Sequence, residues 1–207
     1  AEKPAAPPTL DGILRALATY DGGIESSAVW QLRDYVYARK DDEASRAECE
    51  MRLLQFLRGR ATQAARVVAS RHLRLMAGET AVPALAAMLA DDALADPALY
   101  VLRQIPGDAA SQALVRAATN SQGSTQIAVI AALGERRDAA AVPVLVPLLA
   151  QPALAEPAAI ALGRIGGHDA VGALTKAYPA AAAALKPRIA SALLQANQAC
   201  QNNSVAP

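Results

Sequence analysis

Large rings are scarce in this chain. Five tyrosines, one tryptophan and one phenylalanine make up 3% of its 207 residues, while alanine fills about a quarter of them, so small aliphatic side chains must do most of the packing. A surplus of either charge is also missing. Nineteen acids against twenty bases leave a formal charge of +1, which excludes a global field that would draw nucleic acid or an anionic membrane. No apolar run reaches eighteen residues, so no segment is predicted to span a bilayer. The two histidines, His72 and His168, stand 96 residues apart. Neither belongs to a His-x-x-x-His pair or to a Cys/His cluster with metal-ligand spacing. A Gly-x-Ser-x-Gly elbow, a phosphate loop and a Cys-x-x-Cys-His haem site are all absent. No catalytic, cofactor-binding or metal-binding residue is assigned on these grounds, and neither a cofactor nor a small-molecule substrate is expected.

What the chain does have is a beat. Leu85, Leu114, Leu145 and Leu174 fall 29, 31 and 29 residues apart, and Leu102, Leu133, Leu162 and Leu193 fall 31, 29 and 31 apart. Thr80-Ala81-Val82-Pro83-Ala84-Leu85 recurs 60 residues later as Ala140-Ala141-Val142-Pro143-Val144-Leu145. Pro97, Pro157 and Pro187 mark a second phase of the same rhythm. A thirty-residue unit cannot bury a core alone, so successive copies must stack on one another.

Each unit is predicted to hold two helices. Asp108, Asp138 and Asp169 are placed to cap the first helix, and Pro97 and Pro157, each preceded by an acid, suit the opening turn of the second. Pro147 lies deeper, predicting a kink or a displaced helix start. Leu133-Gly134 and Leu162-Gly163 are expected to end helices before tight turns. Ile105-Pro106-Gly107 and Ile165-Gly166-Gly167 are short joints between antiparallel neighbours, and phosphate binding at the latter is not expected.

The Ala-Val-Pro-x-Leu openings at Ala81 and Ala141, the close Leu162-Gly163-Arg164-Ile165-Gly166-Gly167, and Leu133-Gly134-Glu135-Arg136-Arg137-Asp138 resemble the HEAT repeat, in its bacterial form related to phycobilisome-lyase-like repeats. The likeness covers about residues 60 to 195. The run from Ala61 through Leu75 to Pro83 is also similar to exported bacterial HEAT-repeat proteins. The resemblance implies an all-α, right-handed α-solenoid of about five to six antiparallel helix pairs. Such repeats occur in scaffolds, in bilin-lyase-like chaperone enzymes, in DNA glycosylases with a basic groove and in a di-iron hydroxylase. The hydroxylase needs repeated His-Glu pairs, which this chain lacks, and the alternating charges of Arg39-Lys40-Asp41-Asp42-Glu43 argue against a nucleic-acid groove.

One domain over 1–207 is expected, with a Pro-rich leader at 1–9, an irregular helical cap at 10–60, HEAT-like repeats at 61–195 and a polar tail at 196–207. In the cap, Leu10, Ile13, Leu14, Leu17 and Tyr20 predict an amphipathic helix stopped by Asp21-Gly22-Gly23. Residues 24–40 and 42–57 predict a hairpin whose second helix carries Ala47, Met51, Leu54 and Leu57 on its buried stripe and an Arg46/Glu50 pair facing solvent. Ala180 to Gln195 supplies the last helix. The start Ala1-Glu2-Lys3-Pro4 is expected of a mature exported protein, hence periplasmic or extracellular. A stack of about 10 Å layers separates Cys49 from Cys200 by far more than the roughly 7 Å a disulfide allows, so the two are not expected to pair within one chain.

Two surface groups are the candidates for binding another protein or a larger protein assembly. Trp30, Arg33 and Tyr37 share one side of a helix in the cap, where five of the seven aromatics gather. Tyr100, Arg103, Arg136, Arg137 and Arg164 recur near the ends of successive second helices. Arginines there are suited to grip a partner's carboxylate or phosphate, or to bind local helix-end carbonyls, Glu135 and Asp138.

Overall fold

A computed structural model describes residues 8–23 and 26–203, and for 200–203 the backbone alone. The leader therefore lies almost wholly outside the described residues, as does the end of the tail. All regular structure among the described residues is helical. The chain divides into two compact units, Ala1–Val101 and Leu102–Pro207.

The first unit begins with α1 (Leu10–Leu17), whose N-cap Thr9 accepts the Gly12 N–H through Oγ1 at 3.2 Å. Leu10, Ile13, Leu14 and Leu17 follow the helical period and are all buried. Helix α2 (Ser27–Tyr37) buries Ala28, Leu32 and Val36. Helix α3 (Glu43–Arg58) buries Cys49, Leu53 and Leu57; of the predicted stripe Leu57 is buried and Leu54 half-buried, but Met51 is 49% exposed and Ala47 also faces solvent. The free Cys49 thiol acts as a small apolar side chain and rotates the buried face toward itself. Burial raises its pKa above the ordinary thiol value, with Glu48 adding to the rise and Arg39 opposing it.

The unit continues with α4 (Gln63–Met76), started by Thr62, which accepts the Ala65 N–H at 3.1 Å. The same residue donates its N–H to Ala18 O at 3.0 Å and its hydroxyl to Tyr20 O, tying the end of α1 to the start of α4. A 3-10 turn at Glu79–Ala81 then leads into α5 (Val82–Met88) and α6 (Asp92–Leu102). Arg46 and Glu50 do not pair on the solvent side. Arg46 Nε donates to Met76 O (2.9 Å), while Glu50 accepts from Gly78 N (2.9 Å) and from the Thr80 hydroxyl (2.6 Å). Helix ends leave backbone groups without intrahelical partners, and these two side chains of α3 satisfy them one repeat later.

The second unit contains α7 (Asp108–Asn120), α8 (Gly123–Arg136), a 3-10 turn at Ala139–Ala141, α9 (Val142–Leu148), α10 (Ala155–Ile165), α11 (Gly167–Ala177) and α12 (Lys186–Asn203). The 60-residue repeat survives in its hydrogen bonds. Leu89 N to Ala86 O and Leu149 N to Val146 O are both 3.2 Å, and Ala95 N to Asp91 O and Ala155 N to Gln151 O are both 2.8 Å. Leu85, Leu114, Leu145, Leu174, Leu102, Leu133 and Leu162 are each fully buried. Burying one such side chain is worth about 1.5–3 kcal/mol.

Several local expectations need correction. Only Asp138 caps, through Oδ1 to Ala140 N (3.1 Å). Asp108 and Asp169 lie inside the first turns of α7 and α11, where their charge suits the helix N-terminus but makes no capping bond. Pro157 does sit in an opening turn, but Pro97 is the sixth residue of α6. Asp91 Oδ1 accepts the Ala93 N–H (2.9 Å) and starts α6 early, whereas at the matching Gln151 the next three residues remain a turn. Pro147 does not shift the start of α9: α5 and α9 have matching bounds although Ala87 stands at the equivalent place, so the proline falls where the helix ends anyway. The last helix begins later than predicted, at Lys186, and runs to Asn203 with Ala196 fully buried, so much of the supposed tail is helical.

Gly134 and Gly163 do not end their helices. Each lies two residues before the last helical position. A Cβ on Gly134 would stand 2.8 Å from Ala161 Cα, and one on Gly163 2.9 Å from Ala192 Cα. These glycines let α10 lie against α8 and α12 lie against α10 at backbone contact. The helices stop instead at Arg137, in the left-handed region at φ 53°, and at Gly166, at φ 69°.

Candidate functional site

The cap group lies in the first unit and is open. On α2, Trp30 is 48% exposed and Tyr37 53% exposed, opposite the buried Ala28, Leu32 and Val36. Between them Arg33 lies over the Trp30 ring, its guanidinium carbon 4.8 Å from the centroid, and donates to Asp34 Oδ1 through Nε (2.9 Å) and Nη2 (2.8 Å). Trp30 and Tyr37 are large, stiff and half wet, features common among residues that anchor protein interfaces.

Helix α4 supplies a neighbouring set that spacing alone did not single out. Its sequence, from Gln63 to Met76, carries Arg66, Arg71, His72 and Arg74 and no carboxylate. Arg66 is occupied by the carbonyls of Leu57 and Gly59, both at 3.2 Å. Arg71 is exposed, and Arg74 lies 6.0 Å from the Tyr100 ring centroid. His72 is half-buried with Nδ1 shielded from solvent and unpartnered. Burial lowers its pKa below the ordinary imidazole value, and the charges of Arg33 and Arg71 lower it further. The available sign in the sequence was the acid-free run of cations on α4.

The arginine row is divided by the unit boundary: Tyr100 belongs with the first unit, and Arg103, Arg136, Arg137 and Arg164 belong with the second. In the second unit Glu135 bridges two of them, 2.9 Å from Arg103 Nη1 and 3.9 Å from Arg164 Nη1. Arg136 turns inward. Its Nη1 reaches Leu102 O (3.4 Å), Arg103 O (3.2 Å) and Ile105 O (2.6 Å), and its Nη2 reaches Gly107 O (3.2 Å) and Ser111 Oγ (3.0 Å). This guanidinium satisfies carbonyls beyond α6 and holds the joint before α7, leaving little of it for a partner. Arg137 is exposed, and its backbone ends α8.

The second unit also contains an apolar groove of about 700 Å³ walled by Val146, Leu149, Ala177, Leu185 and Ile189, with Lys176 and Glu156 as its charged groups. Glu156 pairs with Arg188 at 2.9 Å. Among the described residues, no three His, Cys, Asp or Glu side chains are placed to hold a metal ion, and no helix is long and apolar enough to cross a membrane. His168 is exposed in the first turn of α11.

No protein-family model matches the chain, and no match was found among curated proteins. Among solved structures, it is similar to an engineered protein determined crystallographically by a structural genomics consortium, with 18% identity and a TM-score of 0.47 over 90% of this chain and 95% of the other. It is also similar to human deoxyhypusine hydroxylase in complex with glycerol, with 16% identity and a TM-score of 0.43 over 91% of this chain and 96% of the other. Neither likeness is close enough to bear on function.

Proposed function

We propose that this chain is a non-catalytic protein–protein interaction scaffold, or an accessory subunit of an extracytoplasmic complex, built as a right-handed HEAT-like α-solenoid of five to six helix pairs. The observation that carries the reading is the open face of α2, where Trp30 and Tyr37 stand half-exposed on either side of Arg33. Leaving two large rings in water forgoes the free energy of burying them, and a docked partner recovers it. A photo-crosslinking amino acid at position 37, in the protein expressed in its source cell, is expected to give a discrete adduct that Trp30→Ala removes. The same probe at the exposed Ser191 is expected to give none. Equal labelling at both positions would sink this reading.

The groove of the second unit favours one alternative, a bilin-lyase-like chaperone enzyme, because its volume falls in the range of small-molecule sites. A bilin titrated with the protein would then show a shifted absorption band. An unchanged spectrum would dismiss the alternative.

A further inference from the structure

We propose that the face formed by α2 and α4 in the first unit binds an acidic segment of a partner protein, one in which Asp or Glu residues alternate with apolar ones. The inference rests on the interaction reading above and names the chemistry of the partner. Helix α4 places Arg71 and Arg74 on its exposed side, one turn apart, and contains no acid to answer them. Among the described residues Arg71 has neither a carboxylate nor a carbonyl partner. Arg33 comes from α2, and its carboxylate partner among the described residues, Asp34, is the adjacent residue on the same helix. The charges of Arg33 and Arg71 both act on the half-buried His72, so these cations share one neighbourhood.

Like charges gathered on one face repel, and the repulsion is relieved by carboxylates brought from outside. The guanidinium fork matches a carboxylate with two parallel N–H···O bonds. Apolar contact stands beside the charge: Trp30, Tyr37 and Val67 are 48, 53 and 37% exposed. A segment alternating acids with apolar side chains would answer both features. Nucleic acid fits less well because a phosphate backbone needs a continuing basic track. Here the chain beyond α2 turns acidic at Asp41, Asp42 and Glu43, and the whole protein carries only +1.

Trp30 is the only tryptophan in the chain, so its emission reports directly on this face. The full chain would be titrated with a synthetic peptide alternating glutamate with leucine and phenylalanine, with the same peptide carrying glutamine for glutamate, and with oligodeoxythymidine. The acidic peptide is expected to change Trp30 emission saturably, and to bind more weakly as salt rises. Arg71→Gln and Arg74→Gln are each expected to weaken it about two- to fivefold, the range of an exposed ion pair. Arg116→Gln, on the exposed side of α7, is expected to leave it unchanged. Equal binding of the glutamine peptide, tighter binding of the oligonucleotide, unaltered affinity in both α4 variants, or no spectral change at millimolar peptide would each overturn the proposal. If it fails while the position-37 adduct persists, only the acidic chemistry is wrong. Loss of the adduct as well would remove the interaction reading with it.

Discussion

Helices α4 and α8 are each fourteen residues long, yet their C-terminal halves use arginine in opposite ways. Near the end of α8, Glu135 accepts Arg103 and lies within reach of Arg164, and Arg136 is spent on backbone carbonyls. On α4, Arg71 and Arg74 meet no acid of their own helix. An arginine in a repeat is thus structural where a carboxylate or an open helix end lies within its reach. Where neither is supplied, it becomes surface chemistry.

The largest effect is expected in the close packing of α8, α10 and α12. Gly163→Ala pushes a methyl group into Ala192 Cα, Cβ and O, all within 3.0 Å, and backbone cannot yield as a flexible side chain can. A loss of about 2–3 kcal/mol is expected, seen as a melting temperature lower by roughly 5–10 °C. Gly134→Ala should behave alike against Ala161. Gly172→Ala, in α11 with nothing within 4 Å of its added Cβ, should be neutral or stabilising by up to about 1 kcal/mol. Equal melting of Gly163→Ala and Gly172→Ala would show that the close approach is unimportant.

Next in size is Arg136→Met, which keeps the apolar stem but withdraws the donors from the carbonyls between Leu102 and Gly107. Net bonds to a charged group are worth about 1.5–3 kcal/mol, and a loss of about 2 kcal/mol in urea unfolding is expected. No loss would return Arg136 to the partner-facing row. Arg137→Gly should move the other way. A branched or long side chain at φ 53° costs about 1 kcal/mol that glycine avoids, as Gly166 does at the end of α10. Greater stability of the variant, by about that amount, is the expected outcome.

The periodicity of helices made much of this visible in advance. Seven of the eight leucines of the thirty-residue beat are core because one residue type at a fixed phase of each copy must face the same way; Leu193, in the last helix, is only half-buried, and the α1 stripe followed from the same rule. What spacing could not show was distance between helices. Leu133-Gly134 has the local form of a helix stop, and only its approach to Ala161 reveals the glycine as a packing residue. Arg136 and Glu50 were visible as charges, but their partners lie 25–34 and 28–30 residues away. The Trp30, Arg33 and Tyr37 face was legible because α2 buries one clean stripe. Its neighbours on α4 were not, because nothing in the sequence aligns α2 with α4.

A smaller effect concerns His72, whose imidazole has its pKa lowered first by burial and then by Arg33 and Arg71. The unfolded chain binds a proton there more readily than the folded one. Stability from this group is therefore complete above the unfolded value of about 6.5 and is lost as pH falls through the lower folded value. His72→Gln should flatten part of the decline in stability as pH falls below about 6.5. A parallel decline in both proteins would place the acid sensitivity elsewhere.

The smallest expected change separates surface chemistry from structure. Arg71→Gln removes a charge that meets no carboxylate or carbonyl among the described residues, from an exposed position on a helix where glutamine is nearly as good a helix former as arginine. Stability should stay within about 0.5 kcal/mol of the original. Any shift is expected to be slightly stabilising, because it removes one of the like charges gathered near Arg33. Residues that hold a fold lose stability when truncated, whereas residues held ready for a partner do not. A clear destabilisation by Arg71→Gln in urea unfolding would therefore place α4 with α8, as structural arginine, and remove the contrast between them.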